Sequence, residues 1–190
     1  MVNWQEGANC FIDALADKSS VPGGGSAAAF SAAMGASLLL MAIGVTLKRK
    51  VTAQADKDFL APYIDIISKY KDDFKNLTAE DASAYLEVIN LKKQIPLDEV
   101  KLAKAQIHAA EVPLITAQRA EELLKIISEI EGKIAKIILS DALCAKTLLI
   151  ASLKCCQENI KTNLPYITDE NLKNKLNQAY NEIDNLCRKK

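Results

Sequence analysis

The sequence has a single histidine, His108, and this scarcity limits the chemistry that the chain can support. A metal site built on several imidazoles cannot be assembled from it, nor can a Ser-His-Asp triad supported by a second histidine. His108 follows a helical run rich in alanine and lysine, so we expect a surface or capping role for it. We therefore predict no metal site.

Cysteine is present, but its spacing does not indicate a disulfide framework. The five cysteines are an odd number, and no two of them have the CxxC spacing. A disulfide framework or a zinc site is not expected, and a reducing compartment fits best. The first six residues lack the basic and apolar regions of a signal peptide. These features predict a cytoplasmic protein.

Net charge is also absent, because 24 basic residues balance 24 acidic ones. Nothing in this balance indicates binding to nucleic acid. We expect the partner to be a small molecule or a second copy of the chain.

Proline and glycine are scarce, at 5 and 7 residues, and strand signals are weak throughout. Apolar residues recur at helical spacing, which predicts one all-α domain over residues 1–190, a bundle of about seven helices. We expect Pro113 to kink or split the fifth helix, and Thr78 and Thr168 to act as N-caps. The predicted helices span residues 4–17, 26–48, 53–75, 79–93, 98–129, 132–163 and 169–187.

Residues 19–47 contain no charged side chain, which makes them long enough for a membrane span. The segment begins with proline and three glycines and continues with alanine, serine and glycine, and no second apolar span accompanies it. A helix buried in the bundle fits this composition better, so we expect no membrane partner. One copy of so small a chain can hardly surround such a helix, which favours a homodimer formed through long helices.

The glycine-rich segment Pro22, Gly23, Gly24, Gly25 and Ser26 opens this helix. Glycines expose backbone N–H groups, and a helix N-terminus can hold a carboxylate or phosphate. The spacing fits neither a Walker loop nor a Rossmann fingerprint. A tight turn between two packed helices explains the segment equally well, so both interpretations stay open.

A second candidate is the acidic pair Glu80 and Asp81, with Tyr85 one turn beyond Asp81. The three side chains could form an acid/base site. From the residues alone, a capping box that begins at Thr78 is the favoured interpretation, since acids in a first turn complement the helix dipole.

Two further features are polar groups on predicted helices. Asp141, Asn159 and Asn163 share one helix face, but Asp141 and Asn163 lie about 33 Å apart along the axis. The asparagines could bind a ligand or another helix, and hydrogen bonding between helices is favoured. Lys48 and Arg49 could attract an anionic ligand tail, although a solvated last turn is the simpler interpretation.

Together these segments resemble the cyclodeaminase/cyclohydrolase family, the helical domain found at the C-terminal end of formiminotransferase-cyclodeaminase and also as a free-standing protein. The PGGGS stretch at residues 22–26 and the alanines after it are the most specific match. The matching segments are residues 11–16 (FIDALA), 21–29 (VPGGGSAAA), 41–47 (MAIGVTL), 80–85 (EDASAY), 112–114 (VPL), 140–142 (SDA), and Asn159 and Asn163 before 164–165 (LP).

The resemblance implies an all-α homodimer that binds reduced folate without a metal or a separate cofactor. It also implies one of two reactions. A cyclodeaminase closes 5-formiminotetrahydrofolate to 5,10-methenyltetrahydrofolate with release of ammonia. A cyclohydrolase opens the methenyl compound with water to 10-formyltetrahydrofolate. The absence of an attached transferase domain mildly favours the cyclohydrolase or a free-standing cyclodeaminase, and does not choose between them.

Both reactions need a group that moves protons, and without a catalytic histidine this role falls to carboxylates. The candidates are Asp81 and Asp141, with Glu80 third. Substrate would be held by Ser26 and the amides of residues 23–25, with weaker roles for Lys48 and Arg49 at the glutamate tail. Tyr85, Asn159 and Asn163 complete the candidate binding residues.

The sequence departs from the family pattern at two places. Gly132 is followed by Lys133 where the family often has Gly-Asn, and Tyr85 stands where phenylalanine is common. The Gly132-Lys133 departure keeps an alternative open, a non-catalytic helical dimer that binds folate or a partner chain.

Overall fold

A computed structural model describes residues 3–188, and within them every regular element is helical. The predicted all-α bundle is therefore confirmed. Three short 3-10 turns, Glu131–Lys133, Lys136–Ile138 and Leu164–Tyr166, join the later helices. The α-helices are α1 Trp4–Ala16, α2 Gly24–Lys48, α3 Gln54–Lys92, α4 Glu99–Ile130, α5 Leu139–Asn163 and α6 Glu170–Arg188.

Helix α2 forms the centre of the bundle and packs mainly against α3 and α5. Its alanines bring the helices close together, and Ala28, Ala32 and Ala36 are fully buried. At Gly35, an added Cβ would lie 3.0 Å from the Ala145 carbonyl oxygen of α5, so a larger residue would push the two helices apart. Helix α2 is also the one helix, among those described, that is long and apolar enough to cross a membrane. Its packing accounts for the uncharged sequence as a core helix, and the absence of a membrane partner stays a prediction.

Helix α3 corrects the predicted break between residues 75 and 79, because one continuous helix runs from Gln54 to Lys92. Thr78 is not an N-cap. Its hydroxyl donates to the Phe74 carbonyl 2.8 Å away, inside the helix. The favoured capping role of the acids at 80 and 81 is wrong for the same reason. A buried stripe continues across the expected break through Phe74, Leu77 and Ala84, and it keeps the helix intact.

The segment before α5 also differs from the prediction, since the helix begins at Leu139 rather than at residue 132. Ile134 and Ala135 are extended, and the Ala135 amide donates to the Thr46 hydroxyl of α2 at 3.0 Å. This hydrogen bond holds the segment between α4 and α5 against α2, and the extended backbone there separates the two helices. Asp169 rather than Thr168 caps α6, because its carboxylate accepts the Leu172 amide at 2.8 Å.

Pro113 lies inside α4 without splitting it, so one helix extends from Glu99 to Ile130. A proline interior to a helix has no N–H for the carbonyl four residues earlier, here that of Ala109. Asn163 of α5 supplies the missing donor, with its Nδ2 3.1 Å from that oxygen. The proline thus fixes a contact between α4 and α5.

Candidate active site

A groove opens where the N-terminus of α2 meets the middle of α3 and the end of α5. Its first cavity, of about 250 Å³, includes the three glycines and four of the predicted polar residues. The cavity lining is Ser20, Val21, Gly23, Gly24, Gly25, Asp81, Tyr85, Ala109, Asn159, Thr162 and Asn163. Residues from four separate segments therefore meet at one place.

Asp81 is the only acidic side chain in the described lining of this cavity, and it is held by the first turn of α2. The Ser26 hydroxyl donates to Asp81 Oδ2 at 2.9 Å. Ser26 is itself fully buried. Because Ser26 is committed to this bond, its role is to orient the carboxyl group rather than to contact a ligand directly.

Gly25 is required for the close approach between α2 and Asp81. A Cβ added at this position would overlap the carboxyl group, lying 2.5 Å from Asp81 Cγ. Gly24 is less constrained, since the nearest atom to its added Cβ would be Asn159 Nδ2 at 3.4 Å. The glycine-rich segment thus forms a turn and also leaves the space that the Asp81 carboxyl group occupies.

Burial raises the pKa of Asp81 above its ordinary value, while hydrogen bonds from the Ser26 hydroxyl and amide oppose that rise. Desolvation has the larger effect. A carboxyl group with a raised pKa can exchange protons closer to neutral pH than a free aspartate can. This is the electrostatic property that acid/base work requires.

Cys156 of α5 is buried close enough to Asp81 for the two groups to interact. Burial raises the pKa of this thiol to about 12, with a smaller contribution from the charge of Asp81. The thiol therefore stays neutral and is not a nucleophile at physiological pH.

The predicted asparagines both line the cavity, with different hydrogen bonds. Asn159 Nδ2 donates to the Cys155 carbonyl of its own helix at 2.8 Å. Asn163 makes the bond to Ala109 of α4, which matches the interhelical bonding that the residues alone favoured. In each case the side-chain amide is fixed by one bond and its other polar groups can reach a ligand. Tyr85 borders the cavity and is half exposed.

Asp141 does not join this group. It lies in the first turn of α5, 18 residues before Asn159, which is about 27 Å along the helix. Within one chain it cannot reach a small ligand held at Asp81. Of the two leading carboxylate candidates, only Asp81 lies in the groove with the other predicted site residues.

Glu80 also lies away from the groove, because neighbouring residues of a helix point about 100° apart. Its carboxylate meets His108 Nε2 of α4 at 3.0 Å. It borders a different depression with Asp73 and Arg119. His108 therefore has a surface role, paired with an acid, as its sequence context indicates.

Lys48 and Arg49 lie at the opposite end of α2 from the glycines. The 24 residues between Gly24 and Lys48 span about 36 Å. A single folate held at the glycine segment cannot extend to both, so the placement does not support a role for Lys48 and Arg49 at its glutamate tail.

Several groove residues were not predicted from the sequence. A second cavity of about 250 Å³ continues from the first, and Tyr85, Ala109, Thr162 and Asn163 border both. Its further lining is Val88, Ile89, Lys92, Gln106 and Tyr166. Lys92 lies 11 residues after Asp81 and on the same side of α3. The spacing of 11 residues could have predicted that Lys92 lies on the same side as Asp81 only if α3 had been predicted as one continuous helix.

No cluster of three or more histidine, cysteine or acidic side chains that could hold a metal ion exists among residues 3–188. The expected absence of a metal and of a separate cofactor stays a prediction.

The formiminotransferase-cyclodeaminase family model matches residues 8–182, nearly the whole chain. The chain belongs to this family. The match includes the glycine segment, Asp81 and both asparagines, which are the residues that carried the resemblance.

Curated relatives within this family carry two different names. A methenyltetrahydrofolate cyclohydrolase of Methylorubrum extorquens is 26% identical over 166 residues, covering 84% of this chain and 79% of the relative. A formimidoyltransferase-cyclodeaminase of Gallus gallus is 28% identical over 183 residues, covering 91% of this chain. The chain spans 33% of that longer protein.

A solved structure shares the fold. The crystal structure of formiminotetrahydrofolate cyclodeaminase from Thermotoga maritima superposes with a TM-score of 0.83, covering 98% of this chain and 90% of the other. At 21% identity, this likeness concerns the fold alone.

Proposed function

We propose that this protein is an enzyme of tetrahydrofolate one-carbon chemistry, either a formiminotetrahydrofolate cyclodeaminase or a methenyltetrahydrofolate cyclohydrolase. The observation that carries the proposal is the position of Asp81. Its carboxyl group has a raised pKa, accepts a hydrogen bond from the first turn of α2 and lines the groove. Membership of the family supplies the substrate class. The relatives carry the names of enzymes, so a non-catalytic binding dimer is not favoured.

Both reactions pass through a tetrahedral carbon between two nitrogens, and Asp81 can serve each of them. In the cyclodeaminase, N10 attacks the carbon of the protonated formimino group, the Asp81 carboxylate takes the N10 proton, and the resulting acid donates that proton to the amino group, which leaves as ammonia. In the cyclohydrolase, the carboxylate takes a proton from the attacking water and returns it to N5 as the carbon–N5 bond breaks, while the remaining hydroxyl proton of the tetrahedral carbon is released to solvent as the formyl C=O forms. One carboxyl group whose pKa is raised above its ordinary value can perform both halves of each sequence.

The other groove residues have binding roles in this proposal. The amides of Gly24 and Gly25 belong to the first turn of α2, whose N–H groups have no partner within the helix. They can hold a carbonyl oxygen of the folate. Asn159 and Asn163 can bind polar atoms of the pterin ring with the groups that their helix contacts leave free.

We also propose that the reaction needs no metal or separate cofactor and takes place in the cytoplasm. Each step is a proton transfer or an addition to carbon, and no electron is exchanged. All five cysteines are free, and Cys10, Cys144 and Cys155 are exposed, which suits a reducing compartment.

A homodimer is the assembly that the surface of α2 supports. Phe30, Met34, Leu38 and Met41 line an apolar groove of about 600 Å³, and the two methionines are each more than 40% exposed. Phe11 of α1 stacks on Phe30, with ring centroids 4.2 Å apart, and extends this surface. A second copy that covers the groove would remove it from water.

The dimer is tested by the molar mass of Met34→Glu in light scattering at micromolar concentration. We expect a dimer for the wild type and a monomer for the variant, because a charge would be buried at the contact. Ile95→Glu is the control, since Ile95 is 98% exposed and lies outside the groove. A monomeric wild type would contradict the proposal.

The activity is tested with the purified wild type and the near-ultraviolet absorbance of methenyltetrahydrofolate. Its appearance from 5-formiminotetrahydrofolate identifies a cyclodeaminase, and an enzyme-dependent loss to 10-formyltetrahydrofolate identifies a cyclohydrolase. Absence of both changes, measured with a protein that binds tetrahydrofolate, would overturn the proposed enzyme.

A further inference from the structure

We propose that Lys92 binds a carboxylate of the glutamate tail of the folate and gives the enzyme its preference for glutamylated substrates. This inference rests on the proposed function for its substrate class. It replaces Lys48 and Arg49, which lie at the far end of α2, with a cation that borders the groove itself.

The two cavities of the groove adjoin between Asp81 and Lys92. The first cavity holds Asp81 and the second holds Lys92, and both are bordered by Tyr85, Thr162 and Asn163. A ligand seated at Asp81 can therefore extend into the second cavity without leaving the protein surface.

The length of the groove matches the length of the ligand. Asp81 and Lys92 are 11 residues apart on one continuous helix, which is about 16.5 Å along its axis. In an extended folate, N10 and the α-carboxylate of the first glutamate lie about 10 Å apart, from standard bond lengths. The lysine side chain spans about 6 Å more. Asp81 at the reacting nitrogens and Lys92 at the tail are thus compatible with one bound molecule.

The order of chemical groups along the groove also matches. Of the described residues that line the two cavities, only Asp81 and Lys92 carry a charged group, one at each end. Val88 and Ile89 lie between them with Tyr85 and provide apolar and aromatic surface for the aminobenzoyl ring. A folate has the same sequence of a polar ring, an aromatic linker and an anionic tail.

Lys92 is oriented but not neutralised. Its Nζ lies 4.9 Å from the centroid of the Tyr166 ring, which holds the ammonium group over the second cavity. Among residues 3–188, no carboxylate forms an ion pair with Lys92. The charge is therefore available to a ligand anion.

The test compares two ligands that differ only in the tail. Binding of 5-formyltetrahydrofolate and of 5-formyltetrahydropteroate, which lacks the glutamate, is measured by calorimetry for the wild type, Lys92→Gln and Lys93→Gln. Lys93 is the control because it is the adjacent exposed lysine and does not line the groove.

We expect Lys92→Gln to weaken binding of the glutamylated ligand about three- to fivefold, the effect of one solvent-exposed charge pair. Binding of the pteroate should change less than twofold, and Lys93→Gln should match the wild type for both ligands. The difference between the two ligands should shrink as salt is raised. Lys92→Arg, which keeps the charge, should bind the glutamylated ligand better than Lys92→Gln does.

Equal weakening for both ligands would show a structural effect and overturn the inference, as would wild-type affinity in Lys92→Gln. Failure of the wild type to bind 5-formyltetrahydrofolate would overturn it as well. A wild type that shows the tail-dependent difference but turns over neither substrate would overturn the proposed reaction and leave the role of Lys92 intact.

Discussion

The contact between Gly25 and Asp81 leads to a prediction whose size follows from the geometry. An alanine at position 25 would place its Cβ 2.5 Å from Asp81 Cγ and closer still to Oδ1, and ordinary contact begins at 3.4 Å, so Cγ must move by at least about 0.9 Å and Oδ1 by more. Such a move breaks the 2.9 Å bond from Ser26. A displacement of about 1 Å in a catalytic group can reduce the rate about 100-fold. We therefore expect Gly25→Ala to lower kcat/KM about 100-fold in the methenyltetrahydrofolate assay.

The same variant should remain folded. Replacing a helical glycine with alanine stabilises a helix by about 0.5–1 kcal/mol, and the carboxyl group that moves is the end of a partly buried side chain. Gly44→Ala is the matched control, because Gly44 belongs to the same helix, lies outside the groove, and its added Cβ would meet no neighbouring atom within 4 Å. Wild-type kcat/KM in Gly25→Ala, or the same loss in both variants, would refute the argument that Gly25 positions Asp81.

Two further predictions concern the titration of Asp81. Ser26→Ala removes a hydrogen bond that lowers the pKa of Asp81, so the acidic limb of the kcat/KM profile should move to higher pH, and an unmoved limb would contradict the role of this bond. Because burial raises the pKa of Asp81 in the folded state, its ionisation lowers the unfolding free energy as pH rises through that pKa. Asp81→Asn should therefore have a Tm equal to or above that of the wild type at pH 8, and this advantage should disappear below the pKa of an unfolded aspartate. A clear loss of Tm at pH 8 would show instead that the charged form stabilises the fold.

Much of the fold follows from periodicity. The uncharged, small-residue composition of α2 predicted its burial, and the predicted ranges 4–17 and 98–129 lie within one residue of the observed bounds of α1 and α4 at each end. The break expected near Thr78 is the main error. A local cap signal competed there with a longer apolar stripe through Phe74 and Ala84, and the tertiary packing of that stripe decided the outcome.

The candidate site was predictable only in part. Asp81 and the glycines are distant in sequence, and their contact depends on how α2 crosses α3. Spacing alone could not separate Asp81 from Asp141, because both carboxylates lie on predicted helices. Nothing in the sequence distinguishes Lys92 from an ordinary surface lysine. Only a continuous α3 places it on the same face of the helix as Asp81.

The central claim is that Asp81, and not Asp141, transfers the protons. It is tested most directly by kcat/KM of Asp81→Asn and Asp141→Asn on whichever folate substrate the wild type turns over, since the two variants make the same chemical change at the two candidate positions. Loss of a general acid/base should reduce kcat/KM about 100- to 10,000-fold in Asp81→Asn. Asp141→Asn should stay within about threefold of the wild type, as a surface substitution does. Wild-type activity in Asp81→Asn, or a comparable loss in Asp141→Asn, would contradict the assignment.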